Sequence, residues 1–393
     1  MQRPSKSGPI GVSQARSVES ISHAFVNRIA IVCVSLRAGG TERVVSRFAN
    51  FLSEANEVIL ILLSAAPMFY RLSRNVKVIQ PEIQPKSELG PAWYPKIASY
   101  LCDSLRNQRP DVLLCFGESI APLVIPISRL NGVRVMVFNR ASPLSSLKGL
   151  RGLLNPITYP LASRVVVQTA RATHLMRRRY RLSRFEVLPN PVDIDECLPT
   201  VQHRASKIVN VGTLGGSKNQ SALIRVFSKL KRKDSWALDF VGDGPDREIL
   251  KKEAHEMDIG RFVRFHGQRS DVAQILGHSA IFAFTSLTEG FPNALAEAMT
   301  AGCACISYDC PTGPSELIEP GFNGFLVEPG DELAYARLLQ QLIDDPDLRA
   351  RFSENAQKSM KRFSAAGVLA RLDDMIRKVV EEPNHKVSRT KGS

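Results

Sequence analysis

No apolar run in this 393-residue chain is long enough to cross a bilayer as a helix, and Val58 to Ala66 is a buried strand at most. The opening segment, Met1 to Ser22, is polar and lacks the apolar core of a signal peptide, so a disordered tail is expected over 1–25. Cysteine is sparse and odd in number: seven residues with no Cys-x-x-Cys, which argues for a reducing compartment and against structural zinc. Cys303 and Cys305 read as small core residues of a strand. Acidic residues are scarce in one half only. Residues 1–193 carry 26 Lys+Arg against 11 Asp+Glu, a net +15, whereas 194–393 carry 26 against 27, a net −1. No aromatic–basic repeat accompanies that excess, so nucleic acid is not the expected partner. An anionic membrane surface, a diphosphate-bearing acceptor and a plain solvated surface all fit it.

What is present is an ordinary globular composition, 44% apolar and 23% charged, at a length that suits two domains. Apolar runs at Arg28–Leu36, Glu57–Leu63, Asp111–Phe116, Val133–Phe138 and Arg164–Gln168 alternate with helical segments. They predict a Rossmann-like domain over 26–188, an α/β unit with an open parallel sheet covered on both faces. The first strand ends in Gly39-Gly40, where backbone can approach a phosphate closely. Leu188-Pro189-Asn190-Pro191-Val192-Asp193 breaks regular structure, and a linker is placed at 189–204. A second doubly wound domain is expected over 205–365, then a C-terminal helix over 366–382 and a polar tail over 383–393. Between Pro143 and Leu161, Leu144, Leu147, Leu150, Leu153, Leu154 and Ile157 recur at helical spacing beside Lys148 and Arg151. Such a segment is either an amphipathic membrane contact or a core-facing helix. A second basic stretch, Arg177-Arg178-Arg179-Tyr180-Arg181, follows it.

The second half is organised around Thr288-Glu289-Gly290-Phe291-Pro292-Asn293-Ala294-Leu295-Ala296-Glu297. A strand ends there, Glu289 falls in a tight turn, and Glu297 lies about one turn inside the next helix. Open N–H groups and the dipole at that helix start suit a phosphate, and flanking carboxylates can accept from sugar hydroxyls. The same turn can also be a plain solvated helix start.

The ordered set Gly-Gly-Thr-Glu-Arg (39–43), Pro-Asn-Pro-Val-Asp (189–193), Val-Gly-Thr-Leu with Lys218-Asn219, Val-Gly-Asp-Gly-Pro (241–245), Glu289 to Glu297, and Asn-Gly-Phe-Leu-Val (323–327) resembles the retaining glycosyltransferases of family 4. These have the GT-B architecture, two Rossmann-like domains facing across a cleft. Cys310-Pro311-Thr312-Gly313-Pro314-Ser315-Glu316 is similar to members that build bacterial surface polysaccharide or lipopolysaccharide. The resemblance implies transfer of a hexose or N-acetylhexosamine from a UDP-sugar to a lipid-linked or lipopolysaccharide acceptor, on the cytoplasmic face of the inner membrane. It implies no resident cofactor and no metal. Lys218 and Glu289 would be catalytic, the lysine on the departing diphosphate and the glutamate on donor-sugar hydroxyls. Gly39, Gly40, Thr213, Phe291, Pro292, Asn293, Ala294, Leu295 and Glu297 would bind the donor, with Glu297 on the ribose. Thr213 departs from the arginine usual there, which would pair with the lysine on the diphosphate. Glu118 stands where many members have a histidine, and with Arg140 it is a candidate acceptor or sugar contact. A nucleotide-sugar epimerase of the same architecture and a catalytically impaired nucleotide-sugar-binding protein are the alternatives.

Overall fold

A computed structural model describes residues 27–37, 39–83, 90–143, 149–180, 185–193, 204–231 and 235–383. The expected tails and most of the expected linker lie outside the described residues. Seven parallel strands form the first sheet: β1 (Arg28–Cys33), β2 (Glu57–Leu62), β3 (Val76–Ile79), β4 (Val112–Phe116), β5 (Arg134–Phe138), β6 (Arg164–Val167) and β7 (Phe185–Val187), in the order β3-β2-β1-β4-β5-β6-β7. The second sheet holds β8 (Ala205–Val211), β9 (Ala237–Val241), β10 (Val263–Phe265), β11 (Ser279–Phe284), β12 (Ala304–Tyr308) and β13 (Phe325–Val327), ordered β10-β9-β8-β11-β12-β13 and again parallel. The chain is thus α/β, two doubly wound Rossmann-like domains facing across a cleft.

The central strands read as unbroken apolar runs because helices cover both faces. Ile29 and Ile31 enter one core and Ala30 and Val32 the other, as a two-residue side-chain period requires. β3, β7 and β13 were not foreseen. Each is a short edge strand with half its residues or more only partly buried, so the apolar pattern is weak there.

In both sheets the strand order reverses beside the first strand, between β1 and β4 and between β8 and β11. Loops leaving such neighbours diverge in opposite directions and leave a crevice at the carboxyl ends. That places the loops after β1, β8 and β11 where a ligand would sit.

The last helix, Ala365–Glu381, returns to the first domain. Its stripe Val368, Leu372, Met375, Ile376 and Val379 is buried against Val45, Phe48 and Ile29. At roughly 1.5–3 kcal/mol for each fully buried side chain, that stripe is a strong tether between the two halves. Ser364 caps the helix, accepting from the Gly367 N–H, and pairs with Val192 in a parallel bridge. The two crossings between domains therefore run side by side.

Candidate active site

Lys218 sits at the end of the short turn Gly216–Lys218, just before helix Gln220–Ser228. Two bonds tie that turn to the loop after β11: Thr285 Oγ1 donates to the Lys218 carbonyl at 3.1 Å, and Leu287 N–H to the Ser217 carbonyl at 2.8 Å. The loop then brings Glu289 back, and Lys218 Nζ donates to Glu289 Oε1 at 2.6 Å. Below them the two glycine loops pack backbone on backbone: a Cβ on Gly242 would lie 2.9 Å from the Gly212 carbonyl carbon. Thr312 Oγ1, from the Cys310–Glu316 segment, holds the Glu289 carbonyl.

The next helix, Asn293–Thr300, has Pro292 as its N-cap, with no side-chain cap. Asn293 N–H turns back to Phe291 O at 3.0 Å and Ala296 N–H bonds Pro292 O at 3.0 Å. The Ala294 and Leu295 amides are left as the open donors of the first turn. Facing this helix is the start of helix Gly40–Leu52 from the first domain, with Gly39 as N-cap and Tyr70 Oη donating to the Gly39 carbonyl at 2.8 Å. A Cβ on Gly40 would lie 3.3 Å from Asn293 Nδ2. Between them is a cleft of about 400 Å³ lined by both domains.

Two ion pairs cross or flank that cleft. Lys218–Glu289 lies within the second domain, with side-chain exposures of 28% and 11%. Arg43 Nη2 reaches over from the first domain to Glu297 Oε1. Burial acts to lower the Arg43 pKa, but the charge and hydrogen bond of Glu297 outweigh it and hold the guanidinium above its ordinary value. A buried polar chain runs beneath. Arg140 Nη1 donates to Asn190 Oδ1 at 3.1 Å, Gln168 Nε2 to the same oxygen at 2.9 Å, and Asn190 Nδ2 to Asn293 Oδ1 at 2.8 Å. Another contact between the domains is made by Arg171, whose Nη1 donates to Asp309 Oδ1 at 3.0 Å, Oδ2 at 3.1 Å and Ser315 Oγ at 2.8 Å.

Of the residues singled out in the sequence, Gly39, Gly40, Thr213, Lys218, Glu289, Phe291, Pro292, Asn293, Ala294 and Glu297 all line this one cleft. Leu295 is buried beneath it, so only its backbone faces the opening turn. Pro292 has no N–H and contributes geometry, not a donor. Arg140 is not a cleft residue. Its guanidinium lies in the core, 5.5, 5.7 and 5.3 Å from the rings of Phe48, Phe116 and Phe138, and burial pulls its pKa down to about 9. Glu118 is also buried and is not among the lining residues. Five lining residues escape the sequence reading: Arg43, Val211 and Gly212, which figure there only as parts of motifs, together with Tyr70 and Phe284. The chain has two Asp-x-Asp triplets, 193–195 and 345–347. Asp193 pairs with Arg47 and Asp195 lies outside the described residues. Asp345 caps helix Pro346–Met360, and Asp347 in its first turn is exposed. Among the described residues no cluster of three or more His, Cys, Asp or Glu could hold a metal ion.

The model for "Glycosyl transferases group 1" matches residues 200–359, and that for "Glycosyltransferase Family 4" matches 38–196. The chain is 25% identical over 349 residues to the amylovoran biosynthesis glycosyltransferase AmsD of Erwinia amylovora, covering 86% of this chain and 96% of that protein. It is 24% identical over 353 residues to a Campylobacter jejuni α-1,4-N-acetyl-D-galactosaminyltransferase whose named substrate is a GalNAc-containing glycan on diphospho-undecaprenol, covering 87% and 96%. Among solved structures, the lipopolysaccharide outer core galactosyltransferase WaaB superimposes with a TM-score of 0.73 at 22% identity, over 89% of this chain and 99% of that one. Anabaena HepE in complex with UDP does so with a TM-score of 0.74 at 18% identity, over 89% and 100%. Motif order, strand order and both family matches, one to each lobe, agree: the chain belongs to the group 1 glycosyltransferases, enzymes of the GT-B architecture.

Proposed function

We propose that this enzyme moves a hexose or N-acetylhexosamine, with retention, from a UDP-sugar to a lipid-linked or lipopolysaccharide acceptor in cell-surface glycan synthesis. The observation that carries the reading is the meeting of Lys218, Glu289 and an open helix start in one cleft faced by Gly39 and Gly40. When a nucleoside diphosphate leaves an anomeric carbon, negative charge grows on the β-phosphate oxygen. A fixed ammonium and a helix N-terminus aimed at it stabilise the transition state more than the ground state. Glu289 would hold donor-sugar hydroxyls and Glu297 the ribose. These groups need no metal for that task. Attack from the same face as the departing diphosphate would retain configuration without a covalent enzyme intermediate.

The choice of UDP is supported by structural neighbours solved with UDP or UDP-glucose, and the acceptor class by relatives named for diphospho-undecaprenol glycans and lipopolysaccharide. A membrane-borne acceptor also fits the surface of the first domain. No helix among the described residues is long and apolar enough to cross a membrane. In helix Gly149–Thr158, however, Leu153 and Ile157 are 63% and 65% exposed while Asn155 and Thr158 point inward. Leu144, Leu147 and Lys148 of the segment 143–161 lie outside the described residues, but Leu153 and Ile157 turn outward, and the adjoining helix Ala170–Tyr180 exposes Arg177 and Arg178. We read this as docking on an anionic leaflet, the cytoplasmic face of the inner membrane.

The test incubates purified protein with several UDP-sugars and either undecaprenyl-diphosphate-linked or lipopolysaccharide acceptors. UDP release that depends on acceptor, with an α-product from an α-donor by NMR, is the expected result. Acceptor-independent conversion of the sugar nucleotide would mark an epimerase, and binding without turnover an impaired protein. Either outcome overturns the reading.

A further inference from the structure

We propose that Arg43 is the second cation of the diphosphate site, supplied from the first domain where Thr213 leaves the second domain with only a hydroxyl. The inference deepens the nucleotide-sugar reading above and rests on it. Among the described residues only Lys218 and Arg43 bring positive side chains to the lining of the cleft, and each faces a glutamate, Glu289 and Glu297. The charged lining side chains therefore cancel, two against two. A dianionic sugar nucleotide entering a neutral cleft gains nothing from net charge. It gains if both ion pairs exchange partners: the two cations turn to phosphate oxygens, and the two carboxylates are freed to accept from hydroxyls. One set of four residues then serves the empty and the filled cleft without leaving a charge stranded.

The position of Arg43 suits this exchange. It lies in the first turn of helix Gly40–Leu52, whose start faces the start of helix Asn293–Thr300. Its guanidinium already spans the gap, with Nη2 on Glu297, one turn inside the second helix. A phosphate at the Ala294 and Leu295 amides would lie between the two helix starts, within the reach of a side chain that crosses from one to the other. The rigid guanidinium fork offers a bidentate hold that a lysine cannot copy. Because Arg43 belongs to the opposite domain from Lys218, a diphosphate gripped by both would also clamp the two lobes together.

Calorimetric titration tests this with UDP, GDP and the corresponding nucleosides. The proteins are the wild type, Arg43→Ala, Arg43→Lys, and Arg43→Ala combined with Thr213→Arg, each with its melting temperature recorded. Arg43→Ala should weaken nucleoside diphosphate binding about ten- to a hundredfold, the range of a lost charge-assisted contact. Nucleoside affinity should move by no more than about twofold. Arg43→Lys should fall between, and Thr213→Arg should restore most of the loss. An unchanged or tighter diphosphate affinity in Arg43→Ala, or an equal loss for the nucleosides, reduces Arg43 to a strut for Glu297. Should Arg43→Ala fail to fold, Arg43→Lys decides: wild-type diphosphate affinity there, with no further gain from Thr213→Arg, overturns the assignment. A wild type that binds neither UDP nor GDP brings down the nucleotide-sugar reading together with the inference, whereas the other adverse outcomes remove Arg43 alone.

Discussion

Lys218→Met separates the two tasks assigned to this side chain. Methionine keeps most of the stem that lies along the Phe284 ring, 5.6 Å from Nζ, and the loop keeps its ties through Thr285 and Leu287. What is lost is the ammonium 2.6 Å from Glu289, a carboxylate only 11% exposed. Stranding that charge should cost about 1–3 kcal/mol, or about 3–10 °C in Tm for a domain of this size. Adding Glu289→Gln removes the stranded charge and should return most of the Tm. Turnover should behave differently. If Lys218 acts on the departing diphosphate, Lys218→Met should lower kcat by about 100- to 1000-fold, with kcat/KM falling alongside. The double variant should then be slower than Glu289→Gln alone by a similar factor. Steady-state release of UDP in the presence of acceptor gives all the rates, and thermal melts give the stabilities. If the double variant is no slower than Glu289→Gln, the lysine works only by positioning its glutamate, and the leaving-group argument is wrong.

Three other outcomes are expected. In Gly290→Ala the new Cβ would lie 2.5 Å from Gln168 Oε1 and 2.6 Å from the Arg140 carbonyl, so the first-domain loops must give way. Strain of about 1–3 kcal/mol should appear as a lower Tm with a raised donor KM, and unchanged kinetics would show that the lobes are not held at this point. Binding to anionic vesicles should weaken with rising salt and on Leu153→Asp with Ile157→Asp, and equal binding to neutral vesicles would remove the electrostatic part of the membrane reading. Burial raises the thiol pKa of Cys33, Cys303 and Cys310 to about 12, and raises those of Cys115 and Cys305 as well, from an ordinary 9.0. These thiols should resist alkylation at neutral pH until the protein unfolds. Because the folded pKa lies above the unfolded one, their stabilisation is complete below about pH 9 and declines as pH climbs toward 12, which melts across that window will read.

The sequence was most legible where one stretch of chain suffices. Central strands such as Glu57–Leu62 are apolar throughout because both sheet faces are covered, so a local run announces them. The loops that end β1, β8 and β11 carry their glycines and charges within a few residues of the strand, and ten of the residues chosen there line a single cleft. Three of the four edge strands, β3, β7 and β13, failed the same test, since each has half or more of its residues only partly buried.

Partnership was the part local pattern could not carry. Arg140 follows an apolar strand as many surface arginines do; only the convergence of Phe48, Phe116 and Phe138, from three separate elements, makes it a core residue. The stripe of Ala365–Glu381 announced a buried face but not the domain that buries it. Arg43 is the sharpest case, because its partner Glu297 is 254 positions away on the other lobe. Periodicity fixes which face of a helix turns inward, yet the identity of what waits there depends on the packing of both domains. A cleft built from two lobes therefore shows its halves in the sequence and its cross-links only in the fold, and the residues that couple the lobes are the ones that sequence reading passes over.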